Sequence, residues 1–133
     1  MKTFLLVCLG LALVVSGLLM NVGLAEKGDK IKTNRLRHVV LFKFKPEADQ
    51  ARVDAIVKAF GELPSQISEI QEYEWGTNNS PENLNKELTH CFLVTFKSEA
   101  DRDAYLVHPV HKKFVEFLKP SLADVTVVDY WAK

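Results

Sequence analysis

The sequence predicts an α+β domain, a ferredoxin-like βαββαβ sandwich that pairs face to face with a second copy through its sheet. Three observations point there. Runs of β-branched and aromatic residues alternate with runs of helical period in the order strand, helix, strand, strand, helix, strand. That order gives a four-stranded antiparallel sheet with helices on one face. The chain has 133 residues, enough for one core and too few for two. The two strongest strands are apolar on both faces, where a sheet with one solvated face would alternate.

The first 25 residues stand apart from this domain. Met1-Lys2-Thr3 is a short basic start, and Phe4 to Leu24 is a nearly continuous apolar run without charge. Gly23-Leu24-Ala25 places small residues at −3 and −1 of a cut before Glu26, the layout of a secretory signal peptide. An exported protein, periplasmic or extracellular, is the expectation. The alternative is an uncleaved membrane anchor, since the run approaches the roughly 20 residues that span a bilayer. A lipoprotein signal at Cys8 would leave almost no apolar segment ahead of the cysteine. Residues 26–35 read as a polar linker and 36–132 as the domain.

Removing the leader takes Lys2 away and leaves 16 basic against 17 acidic residues. Nucleic-acid partners usually demand a clear basic excess, so none is expected. Cys8 leaves with the leader, and Cys91 then has no partner for an internal disulfide. Between His90 and Phe92 it reads as a packed thiol.

The elements follow in order. Arg37 to Lys45 is a strand closed by Pro46. Ala48 to Leu63 carries Val53, Ile56, Val57 and Phe60 at helical spacing and is closed by Pro64. Ser68 to Trp75 is a weaker strand, with Ile70, Glu72 and Glu74 on one face and Tyr73 and Trp75 on the other. Gly76 to Leu88 is loop by composition, with Asn78, Asn79, Pro81, Asn83 and Asn85. Asn78-Asn79-Ser80 matches a glycosylation acceptor, weakened by the following Pro81. Thr89 to Lys97 is the third strand. Ser98 caps a helix to about Val107, with Glu99 and Asp101 at its positive end. Pro109 interrupts, Val110 to Leu118 forms a further short helix, and Val125 to Trp131 is the last strand.

Facing decides what the sheet does. His38, Val40, Phe42 and Phe44 share one face of the first strand, as His90, Phe92, Val94 and Phe96 do in the third. Val39, Leu41, Cys91 and Leu93 form the opposite row. A second copy of the same sheet is the simplest cover for that row, because isologous dimers are the commonest oligomers.

Four histidines, His38, His90, His108 and His111, could carry chemistry. His108 and His111 have the spacing of two metal ligands, but a third is needed. His38 and His90 begin neighbouring antiparallel strands and so fall at opposite ends of the sheet. No metal and no other cofactor is expected. Tyr105 and His111 can face each other across the Pro109 break, which supplies a phenol donor and a base titrating near neutrality for acid–base catalysis. The plain alternative is that His108 or His111 caps a helix and Tyr105 packs. Nucleophile-elbow, phosphate-loop and zinc-protease motifs are absent.

Arg37 to Lys45, Glu74-Trp75-Gly76-Thr77-Asn78, Thr89-His90, the stretch Tyr105 to His111 and Val127-Val128-Asp129-Tyr130 together resemble the stress-responsive A/B barrel (Dabb) domain. The resemblance spans about residues 36–131. It implies the same fold, dimerised into a barrel between two sheets. It also implies a cavity between sheet and helices. Tyr105 and His111 fall on the tyrosine and histidine that a plant polyketide cyclase of this family uses, and His38 and His90 match histidines there. The expectation is an exported homodimer binding a small apolar or aromatic molecule at a pocket lined by His38, Val40, Phe42, His90, Phe92 and His108. The alternative is an acid–base enzyme of cyclase, lyase or monooxygenase type, with Tyr105 and His111 as its catalytic pair.

Overall fold

The computed structural model describes residues 34–133; the signal peptide expected over residues 1–25 and most of the expected linker lie outside the described residues. The elements run β1 (Leu36–Phe44), α1 (Gln50–Gly61), β2 (Ile70–Thr77), β3 (His90–Phe96), α2 (Glu99–Val107), α3 (Pro109–Leu118) and β4 (Leu122–Trp131). The sheet order is β2-β3-β1-β4 and every pairing is antiparallel. That is the ferredoxin-like arrangement the sequence predicts. Among the described residues no helix is long and apolar enough to cross a membrane.

Local chemistry sets the helix ends. Asp49 accepts a hydrogen bond from the Arg52 backbone N–H at 2.8 Å, and Ser98 accepts one from Asp101 at 3.1 Å. Each satisfies one of the free donors of a first turn. Asp49 is thus a cap rather than a helical residue, which trims the predicted 48–63 helix to 50–61. His108 closes α2 by donating its N–H to the Tyr105 carbonyl, and Pro109 takes the first helical position of α3, where no amide is needed.

β2 departs from the alternation read in the sequence. The register slips between Ile70 and Glu72, so Gln71 is a bulge. Ile70 and Tyr73, three residues apart, both turn toward the helices. A regular strand would have separated them.

The interior is aromatic. Phe60 of α1 stacks on Phe92 at 4.6 Å between ring centroids and on Phe42 at 6.1 Å, and tilts against Phe114 of α3 at 4.8 Å. One ring thereby joins two strands and two helices. The opposite face is divided. Arg37 binds Glu72 and the hydroxyl of buried Thr95 at one end, while Val39, Leu41, Cys91 and Leu93 lie half-buried along the rest. Cys91 therefore belongs to this outer row, not to the helix-side interior. Burial, reinforced by Glu74, raises its thiol's pKa and keeps it protonated.

Replacing Phe60 with Ala should cost about 3–5 kcal/mol, the range for deleting a packed aromatic. Urea unfolding checks it, and a loss below about 1 kcal/mol would contradict the central role of this ring.

Candidate active site

Tyr105 and His111 meet where α2 gives way to α3. Six residues apart, they would lie on different faces of one continuous helix. The break at His108-Pro109 brings their ring centroids to 4.2 Å. Tyr105 is 1% exposed and packs on Phe96 at 5.1 Å. His111 donates Nδ1–H to the Leu106 carbonyl at 3.2 Å. That bond fixes the neutral tautomer and leaves Nε2 as the free base.

Burial lowers the pKa of His111, and the backbone bond to Leu106 opposes that only partly, while His38 and His108 lower it further. Burial likewise pushes Tyr105 well above the ordinary phenol range. The pair at neutral pH is therefore an unprotonated imidazole beside a protonated phenol. Those are the ionisation states a base and a hydrogen-bond donor require.

His38 lies beneath them on β1, its ring 5.9 Å from that of Tyr105. Its Nδ1 donates to Asp129 Oδ1 at 2.6 Å, and Asp129 Oδ2 accepts from Arg102 Nη1 at 3.1 Å. A carboxylate on β4 thus links the sheet to α2 and orients the imidazole. Asp129 and Arg102 were not singled out in the sequence. The available signal was a lone charge in the apolar run Val127-Val128-Asp129-Tyr130.

The other predicted residues separate into groups. His108 accepts a hydrogen bond from the Val110 N–H at 3.2 Å, so it caps α3. His90 pairs with Phe42 four positions along the sheet from His38, beside Trp75 and Phe44. It stands apart from the Tyr105–His111 pair. Val40, Phe42 and Phe92 are interior residues within the Phe60 cluster. Among the described residues no three His, Cys, Asp or Glu side chains gather as a metal site would need.

Two cavities lie elsewhere. One of about 500 Å³ opens on the outer sheet face between Leu41, Cys91 and Leu93 and the Leu84–Leu88 loop. The other, about 540 Å³, lies by Phe44, Gln50 and His90. Tyr105 and His111 line neither.

Comparison with known proteins gives this geometry a context. Residues 36–132 match the model of the stress responsive A/B barrel domain. The chain is 33% identical over 95 residues to a stress-response A/B barrel domain-containing protein, HS1, of Arabidopsis thaliana, covering 71% of this chain and 87% of that one. It is 26% identical to olivetolic acid cyclase of Cannabis sativa, covering 71% and 94%. Among solved structures, hydroxynitrile lyase from Passiflora edulis superposes with a TM-score of 0.72 at 27% identity, covering 76% and 95%. A dimeric ferredoxin-like protein of unknown function from Jannaschia sp. CCS1 gives 0.66 at 26% identity, covering 74% and 99%.

The depressed His111 makes a pH prediction. Between its folded pKa and the ordinary 6.5, the unfolded chain binds more protons than the folded one, so stability rises with pH there and levels off above. Urea titrations from pH 7 to 5 should show wild type losing more stability than His111→Gln. Equal losses would contradict a desolvated imidazole.

Proposed function

The chain belongs to the stress-responsive A/B barrel domain family, and from that premise we propose an exported homodimer that binds a small apolar or aromatic molecule at Tyr105 and His111. The observation that supports this best is the 4.2 Å approach of a buried phenol and a neutral imidazole whose Nε2 is left free. A structural pair would satisfy both rings. Here one nitrogen is anchored to the backbone and the other is available to a ligand. His38, held by Asp129 and Arg102, stands beneath as a third polar group.

The outer face supports the dimer. Val39, Leu41, Cys91 and Leu93 remain half-buried in one chain, and Val128 and Tyr130 beside them are about half exposed. Solved relatives with this fold are described as dimeric. A second copy of the sheet would cover this row, the hydrophobic effect supplying the drive.

A second reading is an acid–base enzyme of cyclase or lyase type, favoured by relatives that carry those names. In it His111 Nε2 removes a proton from an acidic carbon or hydroxyl, and Tyr105 donates a hydrogen bond to the oxygen that gains negative charge.

Native mass spectrometry of the purified protein identifies any retained molecule, and Tyr105→Phe and His111→Ala should each weaken its retention. Unchanged retention in both overturns the binding reading. Turnover of aromatic or β-polyketone compounds that falls at least about tenfold in both variants selects the enzyme. Light scattering at micromolar concentration should give twice the chain mass, and Leu41→Lys with Leu93→Lys should give a folded monomer. A monomeric wild type would contradict the paired sheets.

A further inference from the structure

We propose that the cavity on the outer sheet face is a socket for a second copy of this chain, filled by β4 of the partner. The two edge strands, β2 and β4, then recognise each other across the dimer. This rests on the reading that the outer faces pair, and it adds which strand meets which and what decides it.

The outer face has a polar end and an apolar middle. Register aligns Glu72, Thr95, Arg37 and Tyr130 in one row across the four strands. The next row is Glu74, Leu93, Val39 and Val128, and the third is Gly76, Cys91, Leu41 and Thr126. Lys43 and Asp124 lie in a fourth row beyond these. The strand order β2-β3-β1-β4 puts Glu74 and Val128 at opposite edges of the sheet. The cavity of about 500 Å³ lies toward the β2 edge, between the second and third rows and the loop that carries Leu84 and Leu88. At the other edge, Val128 is 50% exposed.

Two such faces can pair isologously about an axis across the strands or along them. An axis across the strands sets each strand over its own copy and reverses the rows. Arg37 then faces the partner's Lys43, and like charges opposed across an interface are strongly unfavourable. An axis along the strands keeps each row over itself and reverses the strand order. Arg37 then faces the partner's Thr95, Val39 the partner's Leu93, and Leu41 the partner's Cys91. Polar meets polar, apolar meets apolar, and no like charges are opposed. The geometry favours this second arrangement.

It also lays β2 over the partner's β4, with Glu74 facing the partner's Val128 and Gly76 facing the partner's Thr126. The cavity has room for them. A Cβ placed on Gly76 would meet nothing within 4 Å, so this wall of the socket is open. Sheets packed face to face stand about 10 Å apart, and their side chains interdigitate. A half-exposed valine entering an apolar socket leaves water at both surfaces.

Charge substitutions at the two edges test this on the full chain, with light scattering over a dilution series as the readout. Val128→Glu opposes the partner's Glu74 twice per dimer and should weaken the dimer at least about tenfold. Adding Glu74→Lys to Val128→Glu should restore it, whereas Glu74→Lys with Val128→Lys should separate the chains again. The two positions lie at opposite edges of one sheet, so the rescue cannot arise within a chain. Val128 is exposed in the single chain, and circular dichroism should show every variant folded. If Glu74→Lys fails to rescue Val128→Glu, the edge pairing falls while the face-to-face dimer stands. If Val128→Glu dimerises as tightly as wild type, the socket has another occupant and the proposal falls. A monomeric wild type overturns the paired sheets and this proposal together.

Discussion

A one-residue slip of β1 against either neighbour would turn His38, Val40 and Phe42 away from the helices, because side chains alternate faces along a strand. The register of this central strand is therefore the constraint on which the site depends. It sets Val94 on one side of His38 and Asp129 on the other. It also sets Phe42 and Phe92 under Phe60, whose packing fixes the height of α1 and α3 above the sheet. The site polar groups are held by the same pairing that builds the core. Loss of the core would disperse them together.

Helix chemistry completes what the register begins. Pro109 cannot supply an amide, and His108 caps α3 with its own ring, so the chain changes direction between Tyr105 and His111 at little cost. The break makes neighbours of two residues that a straight helix would keep apart. The anchoring of His111 to Leu106 uses a carbonyl near the end of α2 that the break leaves available. One interruption thus creates the pair, orients the base and frees its second nitrogen.

Much of this was legible in the sequence, for identifiable reasons. β1 and β3 were plain because their apolar residues fill both faces, and α3 because Pro109 marks its start. Tyr105 and His111 were legible as a pair because proline spacing is local. His38 with Asp129 was not, since 91 residues separate them and only the sheet register joins them. Phe42 and Phe92 read equally well as pocket floor or as core, and a sequence cannot tell which rings will stack on Phe60. Tyr73 was hidden by the bulge at Gln71. Strict alternation put it on the face opposite Ile70, whereas the structure puts both inward.

That bulge has an evolutionary consequence. Loss of the single codon for Gln71 would leave Ile70 opposite Phe96, Glu72 opposite Thr95 and Tyr73 opposite Val94, now in unbroken register. Ile70 and Tyr73 would then stand two residues apart and still share the helix-facing side. A lineage could therefore lose or regain Gln71 without moving the tyrosine. An alignment would show a gap inside a strand, although the faces of the sheet are unaltered. Strand length is free to vary at this point while the inward residues stay fixed.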